Sequence, residues 1–302
     1  MPIVNPFDVP GQWYKGNLHT HTLESDGELS PEEACARYRD AGYSFLAITD
    51  HGTITDTRHL SGDDFVTLLG GEFGGKGAPS GRTYHIVVLG VEPDWPRPDD
   101  DAQAVIDATN ASGGFAFVAH PYWSGLHTDD LLTLRDHAGV EVYNFTCYRG
   151  IGKGNSAVYW DVMLAQGVPV VGLGVDDSHG HYNDYLGGWI CVRAEELTSE
   201  GMLTAIKSGC FYASSGPQIY DFRVEDGKAV ARCSPAQAVN FISADSRGRS
   251  IWRDDDTLFD EAEVELNGKE RYVRLEVVDV RGRVAWTNPL PVPSGEDDAR
   301  NA

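Results

Sequence analysis

From about residue 13 to residue 213, short β-rich apolar runs alternate with helical patterns, and several of the runs end beside a histidine, an aspartate or a glutamate. Such alternation is the sequence signature of a parallel α/β arrangement and leaves few other architectures open. The expected strands are residues 14–18, 45–49, 66–71, 84–89, 115–119, 140–143, 168–174 and 188–192. Ser30-Pro31-Glu32-Glu33 joins an N-cap serine, a proline at the first helical position and a capping-box glutamate, so a helix begins there and stops at Gly42. Residues 100–112, 155–166 and 198–208 read as later helices, ending near Gly113, Gly167 and Gly209. After Ser214-Ser215-Gly216-Pro217 the character changes. Residues 219–224, 230–233, 239–244, 263–266 and 272–280 read as antiparallel strands, with Asp226-Gly227 and Asn267-Gly268 as hairpin turns. The expected division is an α/β part over 1–215, a small antiparallel β-domain of sandwich type over 216–293, and a polar, frayed tail over 294–302.

Nine side chains near the strand ends carry the candidate chemistry: His19, His21, Asp26, His51, Glu72, His85, His120, Asp177 and His179. They include six of the chain's ten histidines. Imidazoles and carboxylates together suit zinc, manganese or iron, and the absence of thiolates from the set disfavours softer ions. In a parallel α/β protein, loops at the carboxyl ends of strands converge, which is where sites are built.

His19 and His21 close the first run and, being two apart, project to the same side, about 7 Å from each other on a straight strand. A bend at the strand end lets both reach one ion. Ser25-Asp26-Gly27 offers a carboxylate on a glycine-containing turn, and His51 stands at the junction of the second strand with its loop. Glu72 follows Leu68-Leu69-Gly70-Gly71, where a carboxylate is costly unless metal-bound or paired, with Arg82 or Lys76 as alternative partners. His85 begins a run instead of ending one, and periodicity alone makes it a core histidine. His120-Pro121 stops its strand at the ligand. Asp177-Ser178-His179 repeats the same-side spacing, with Asp176 competing; successive carboxylates face opposite ways, so one of the two is the ligand. Taken singly each has an ordinary structural explanation, but those explanations would have to hold independently at six strand ends.

The bulk properties narrow the function. With 24 basic and 46 acidic residues the net charge is −22, which excludes a basic stripe for coating nucleic acid. Two or three divalent ions would bring roughly +4 to +6 into one cleft, so a small phosphorylated substrate stays compatible. No apolar run reaches bilayer length and the N-terminal residues lack signal-peptide character, so a soluble, cytoplasmic protein without a membrane partner is expected. Cys35, Cys147, Cys191, Cys210 and Cys233 are odd in number and widely spaced, as buried idle thiols are. A homo-oligomer is compatible with the sequence, which does not specify one.

His19-Thr-His21-Thr with Ser25-Asp26-Gly27, Thr49-Asp50-His51, Gly71-Glu72, His85, His120-Pro121 and Asp177-Ser-His179 resemble the successive motifs of the PHP (polymerase and histidinol phosphatase) family over about residues 14–215. Asn17-Leu18-His19-Thr-His-Thr and Gly209-Cys-Phe-Tyr-Ala-Ser-Ser-Gly-Pro217 further resemble its CehA/McbA-type branch, which carries a C-terminal β-domain. The resemblance implies a distorted, TIM-like (β/α)7 barrel with a di- or trinuclear centre at the carboxyl ends of its strands. By motif, one ion would lie among His19, His21, Glu72 and Asp177, and a second among Glu72, His85 and His120. A third would take Asp26, His51 and His179. On this resemblance alone His85 moves from core to ligand.

The expected activity is metal-dependent hydrolysis of a small phosphomonoester or phosphodiester by a metal-activated bridging hydroxide. Arg149, after a strand, has the fork geometry to clamp a phosphate; Lys153 and Arg82 are further substrate candidates, against the ordinary alternative of surface cations. His181 is a candidate proton donor to the leaving group, and Tyr122 with Trp123 a candidate pocket wall. The same ions polarise carbonyls, so carbamate, ester or amide hydrolysis is the rival activity. The non-enzyme alternative is a metal-stabilised binding module, which requires coordinatively closed ions.

Overall fold

The computed structural model describes residues 3–98, 100–181, 183–253 and 257–293; the expected tail at 294–302 lies outside the described residues. The first nine strands are β1 (Gln12–Asn17), β2 (Phe45–Ile48), β3 (Val66–Gly75), β4 (Tyr84–Leu89), β5 (Phe115–Val118), β6 (Gly139–Asn144), β7 (Val171–Val175), β8 (Trp189–Ala194) and β9 (Phe211–Ser214). Among them run helices α1 (Pro31–Asp40), α2 (Ala102–Ala111), α3 (Pro121–Ser124), α4 (Thr128–Thr133), α5 (Phe145–Ile151), α6 (Ala157–Ala165) and α7 (Ser199–Lys207). The start of α1 shows the capping box read from the sequence: the Glu33 amide donates to Ser30 Oγ (3.3 Å) and the Ser30 amide to Glu33 Oε2 (2.9 Å).

Strands β1 to β7 lie side by side in chain order. The pairs β1–β2, β2–β3, β5–β6 and β6–β7 are parallel, whereas β3–β4 and β4–β5 are antiparallel. The expected parallel arrangement holds for four of these six pairings, and the reversed β4 makes the sheet mixed. The local cause of the reversal is the connection between Gly75 and Tyr84, which is shorter than the dozen or so residues a parallel crossover needs. One consequence reaches the site: β4 begins at the edge where its parallel neighbours end. At that edge the Asp177 amide donates to the His19 carbonyl (2.9 Å) and the His21 amide to the Ser178 carbonyl (2.8 Å), bringing the chain after β7 back to the chain after β1. Among the described residues no longer ladder joins these two strands. Phe45, Val87, Phe117, Val140 and Leu173 pack in the core, and the strands are buried on both faces, which explains why they read as unbroken apolar runs.

The C-terminal strands are β10 (Ile219–Glu225), β11 (Lys228–Ala236), β12 (Ala238–Ile242), β13 (Gly248–Trp252), β14 (Phe259–Glu265), β15 (Tyr272–Val278), β16 (Val284–Thr287) and β17 (Leu290–Pro291). They form two groups. The order β13-β12-β15-β16 continues the main sheet through β9 and β8, while β10-β11-β14 is a separate sheet. Phe222, Ala231 and Val264 of the small sheet share one apolar core with Phe241, Leu275 and Val277 of the other. Asp226 (φ 50°) and Gly227 (φ 74°) close the β10–β11 hairpin as read from the sequence. Asn267-Gly268 does not close a hairpin. It connects β14 to β15, which belong to different sheets. Strands β9, β13, β16 and β17 and helices α3 to α5, each two to seven residues long, were not read from the sequence.

Arg274 on β15 ties this region to α6. Its guanidinium is fully buried, grips the Asp161 carboxylate through Nε and Nη2 (both 2.8 Å), donates to Glu276 (2.7 Å) and lies over the Trp160 ring. No helix among the described residues is long and apolar enough to cross a membrane. The five cysteines are free thiols, and all but Cys191 are buried.

His137, just before β6, is 4% exposed, and neither ring nitrogen has a hydrogen-bond partner among the described residues. Burial lowers its pKa to about 4, and nearby Asp136 only partly opposes this. The unfolded chain therefore takes up this proton near pH 6.5 and the folded chain only near pH 4, so stability is lost as pH falls through that window. His137→Leu should be less acid-sensitive than wild type by up to about 3 kcal/mol between pH 7 and 4. Urea unfolding at both pH values checks this; identical pH dependence in the two proteins would refute it.

Candidate metal centre

All nine side chains singled out above meet at the edge where the parallel strands end and β4 begins. Their donor atoms form three overlapping groups: His19, His21, Glu72 and Asp177; Glu72, His85 and His120; and His21, Asp26, His51 and His179. Within each group the atoms lie within 4.8 Å of one another. The reversal of β4 explains His85: a residue at the start of an antiparallel strand shares an edge with residues at the ends of parallel ones.

Glu72 lies inside β3 and not beyond its end, paired with Val87 of β4 on one side and bridged to His51 on the other. No ion pair links it to Arg82 or Lys76 among the described residues, and Lys76 sits 3.6 Å from Asp100. Its carboxylate is 1% exposed, with Oε2 3.2 Å from Nε2 of both His19 and His21 and 3.1 Å from His51 Nδ1. Oε1 lies 2.7 Å from His85 Nδ1 and 3.3 Å from His120 Nε2. Asp177 Oδ1 approaches Nε2 of His19 and of His21, at 3.2 Å each. The more exposed Asp26 is 3.6 to 3.7 Å from His21, His51 and His179. Gly27 allows that turn by its size: a Cβ there would sit 2.4 Å from the His21 carbonyl oxygen.

Asp176 and Asp177 separate cleanly. Asp176 is fully buried and accepts from the Tyr38 hydroxyl and from the amides of Leu186, Gly187 and Gly188, all at 2.7 Å. It anchors the 186–188 loop, and burial, opposed by these hydrogen bonds, moves its pKa up to about 6. Asp177, with φ at 58°, turns the other way into the cluster. His120 also has a positive φ, 26°, a costly backbone state for a residue with a Cβ. Two of the nine thus hold unusual backbone conformations where side chains must be aimed.

The ring orientations favour cation binding. His179 Nδ1 is 2.8 Å from the Asp177 carbonyl and His120 Nδ1 is 3.0 Å from Ser124 Oγ, so each turns Nε2 into the cluster. His19 Nε2 and His21 Nε2 face each other at 3.1 Å. Were both protonated, two N–H donors would collide; with lone pairs there, both can serve one cation. Among the described residues, buried Asp177 Oδ1 meets these two imidazole nitrogens and makes no hydrogen bond of good geometry, as a donor atom kept for an ion would. The residues therefore fit divalent ions.

The charges point the same way. Burial works against the His19 imidazolium, yet facing Asp177, Glu141 and Glu72 carry its pKa well above the usual value. His21 likewise reaches about 9 against the cost of burial, because the Asp177 and Glu72 carboxylates stand 3.2 Å from its Nε2. Burial opposes the Glu72 and Asp177 carboxylates, but the neighbouring imidazoles, His19 foremost, hold both pKa values below the usual range. Without metal, protons supply the positive charge that these carboxylates demand.

Several residues that hold this geometry were missed in the sequence. Asp50 accepts from the Thr22 amide (2.7 Å) and the hydroxyls of Thr22, Ser25 and Thr55, fixing the turn that carries Asp26. Asp184 accepts from the amides of His179 and Gly180. Glu141 and Asn144 of β6 lie behind the cluster, both buried. An acidic residue between Val140 and Val142 in a strand buried on both faces was the available signal.

The chain has a solved structural neighbour from Bacteroides vulgatus, a two-domain protein containing a predicted PHP-like metal-dependent phosphoesterase. The match has a TM-score of 0.55 at 14% identity and covers 96% of this chain and 97% of that one. What this likeness shows is the fold. Weaker matches are a putative metal-dependent phosphoesterase from Bifidobacterium adolescentis (16% identity, TM-score 0.44) and an amidohydrolase from Chromobacterium violaceum with bound sulfate and no metal (16%, 0.45). Each covers 56% of this chain and 89% of its own. No protein-family model matches the sequence, and no curated protein does.

The centre opens into a cleft of about 300 Å³, walled beyond the nine-residue set by Trp123, Thr146, Cys147, Gly150 and Ile151. None of the four candidate substrate residues lines it. Arg149 faces a neighbouring depression, with its guanidinium 5.9 Å from the Phe145 ring. Lys153 Nζ stands 5.4 Å over Tyr122, Arg82 is exposed near Gly125, and His181 is exposed with Nδ1 2.9 Å from Glu28. Of the expected aromatic wall, Trp123 lines the cleft and Tyr122 does not.

The two aspartates give a test. Asp177→Asn should weaken divalent-ion uptake, measured by equilibrium dialysis with elemental analysis. Asp176→Asn should leave ion uptake intact but cost about 1–3 kcal/mol in urea unfolding, because an amide cannot accept all four hydrogen bonds. The reverse pattern would exchange their roles.

Proposed function

We propose that the chain is a metal-dependent hydrolase of PHP type, acting on a small phosphomonoester or phosphodiester and belonging with the CehA/McbA-like branch. The observation that carries this reading is the convergence of nine donor side chains into three overlapping groups beneath one open cleft. His19, His21, Glu72 and Asp177 would hold one ion, Glu72, His85 and His120 a second, and Asp26, His51 and His179 a third. Bound there, divalent ions supply Lewis acidity and bring the pKa of water toward neutrality. The chain's own part is positional. Glu72 is shared between two groups, the Nδ1 partners of His120 and His179 fix their rings, and Trp123 with Ile151 shields one side of the cleft. An open cleft favours catalysis over a metal-stabilised binding module, whose ions would be closed off. In this reading the catalytic part extends to residue 215 and the β-rich part after it has an accessory role.

Carbamate, ester or amide hydrolysis is the second reading. Its support is the cleft lining, which includes Trp123 and Ile151 but no arginine or lysine among the described residues. A carbonyl substrate with an apolar substituent needs no such cation, whereas a phosphate would rely on the ions for its charge.

The protein loaded with zinc, manganese or iron should turn over members of a phosphoester panel and lose that activity with a chelator. Turnover of aryl carbamates or amides alone would select the second reading, and inactivity toward both panels would overturn the hydrolase assignment. Glu72→Gln should abolish turnover and weaken metal uptake by more than about 100-fold, beyond the range for loss of an outer partner. Wild-type metal uptake in this variant would remove Glu72 from the centre.

A further inference from the structure

Strand β6 differs from its neighbours: β1 to β5 and β7 each bear or lead into at least one of the nine donor side chains, and β6 supplies none. What it supplies is Glu141, fully buried, whose two carboxylate oxygens face two different ligand-bearing strands. Oε1 accepts from His19 Nδ1 at 2.6 Å, and Oε2 accepts from the backbone amide of His120 at 2.7 Å. Asn144, three residues later on the same strand, donates through Nδ2 both to Glu141 Oε2 (2.9 Å) and to Asp177 Oδ2 (3.0 Å). Its Oδ1 accepts from the Cys147 amide (2.9 Å) and so caps α5, which brings Thr146, Cys147, Gly150 and Ile151 to the cleft wall.

We propose that Glu141 and Asn144 are positioning residues that preorganise two ion sites and the adjoining cleft wall as one unit. The inference rests on the metal-centre reading above. Its physical content is directional. A carboxylate only accepts, so Glu141 requires hydrogen on His19 Nδ1 and leaves Nε2 free to point at Glu72, Asp177 and an ion. Its other oxygen holds the His120 amide at the residue whose φ of 26° strains the backbone, so the same group secures a ligand of the second site. Asn144 then ties Glu141 to Asp177. A glutamine at position 141 meets three donors with one acceptor oxygen. Its NH2 group would face either His19 or the pair formed by the His120 amide and Asn144, reversing the His19 tautomer or releasing His120.

The test compares wild type, Glu141→Gln and Asn144→Ser by equilibrium dialysis against zinc and cobalt, with far-UV circular dichroism to establish folding. Visible spectra of the cobalt-loaded proteins report ligand geometry, which a merely structural role would leave unchanged. Folded Glu141→Gln should bind ions roughly 10–100-fold more weakly than wild type and show an altered cobalt spectrum. Asn144→Ser, whose serine can still cap α5, should shift both readouts in the same direction. Wild-type affinity and spectrum in folded Glu141→Gln overturn the proposal. Should Glu141→Gln fail to fold, Asn144→Ser decides by the same two readouts. Failure of wild type to take up any ion would instead sink the metal-centre reading itself, and the two failures are thereby distinguishable.

Discussion

One carboxylate in contact with five imidazoles is the constraint around which the rest of the molecule is arranged. Glu72 reaches His19, His21, His51, His85 and His120 at distances from 2.7 to 3.3 Å, and it does so from inside a strand, almost without solvent. Burying a carboxylate is expensive unless positive charge is brought to it, and neutral imidazoles bring none. Either protons or cations must therefore share the space. The mutual approach of His19 and His21 through their Nε2 atoms makes protons the worse solution, because two N–H groups would then oppose each other at 3.1 Å. Glu72 can be held there because its backbone is bonded on both sides, to β4 and to the residues after β2.

The same constraint explains what could and could not be read from the sequence. Residues that end parallel strands, such as His19 and His120, announce themselves by position, since the run of apolar residues stops where the ligand is presented. His85 gave the opposite signal. It opens a strand, and only the reversal of β4 puts strand start and site on one edge, a fact of chain direction that periodicity does not contain. Glu72 was legible as a costly charge, but its place within β3 was not, because Gly74 and Gly75 disguise the continuation of the strand.

A second group of residues escaped because its chemistry is indirect. Asp50, Glu141, Asn144 and Asp184 accept or donate hydrogen bonds behind the donor set, and their types are those of ordinary turns, caps and buried pairs. Sequence spacing reveals residues that share a face of one element; it does not reveal that Glu141 on β6 reaches the residues that follow both β1 and β5. The choice between Asp176 and Asp177 was of the same kind. Both are buried, and what distinguishes the anchor from the candidate ligand is their partners: the Tyr38 hydroxyl and three amides of the 186–188 loop for Asp176, His19 and His21 for Asp177.

Among the described residues no side chain of the C-terminal strands belongs to the donor set or to the cleft lining, and their connection to the site is through packing. Strand β9 carries the main sheet into β16, and Arg274 on β15 grips Asp161 on α6, the helix that follows the cleft-lining α5. A fully buried guanidinium between two carboxylates is weak evidence of net stability, but loss of its partners would leave a buried charge uncompensated. The β-rich region thus fixes α6 from behind, while Asn144 caps α5 from the side of the cluster. The cleft-lining α5 is thus capped by Asn144 at its start, and α6, which follows it, is tied to the C-terminal sheet through Arg274.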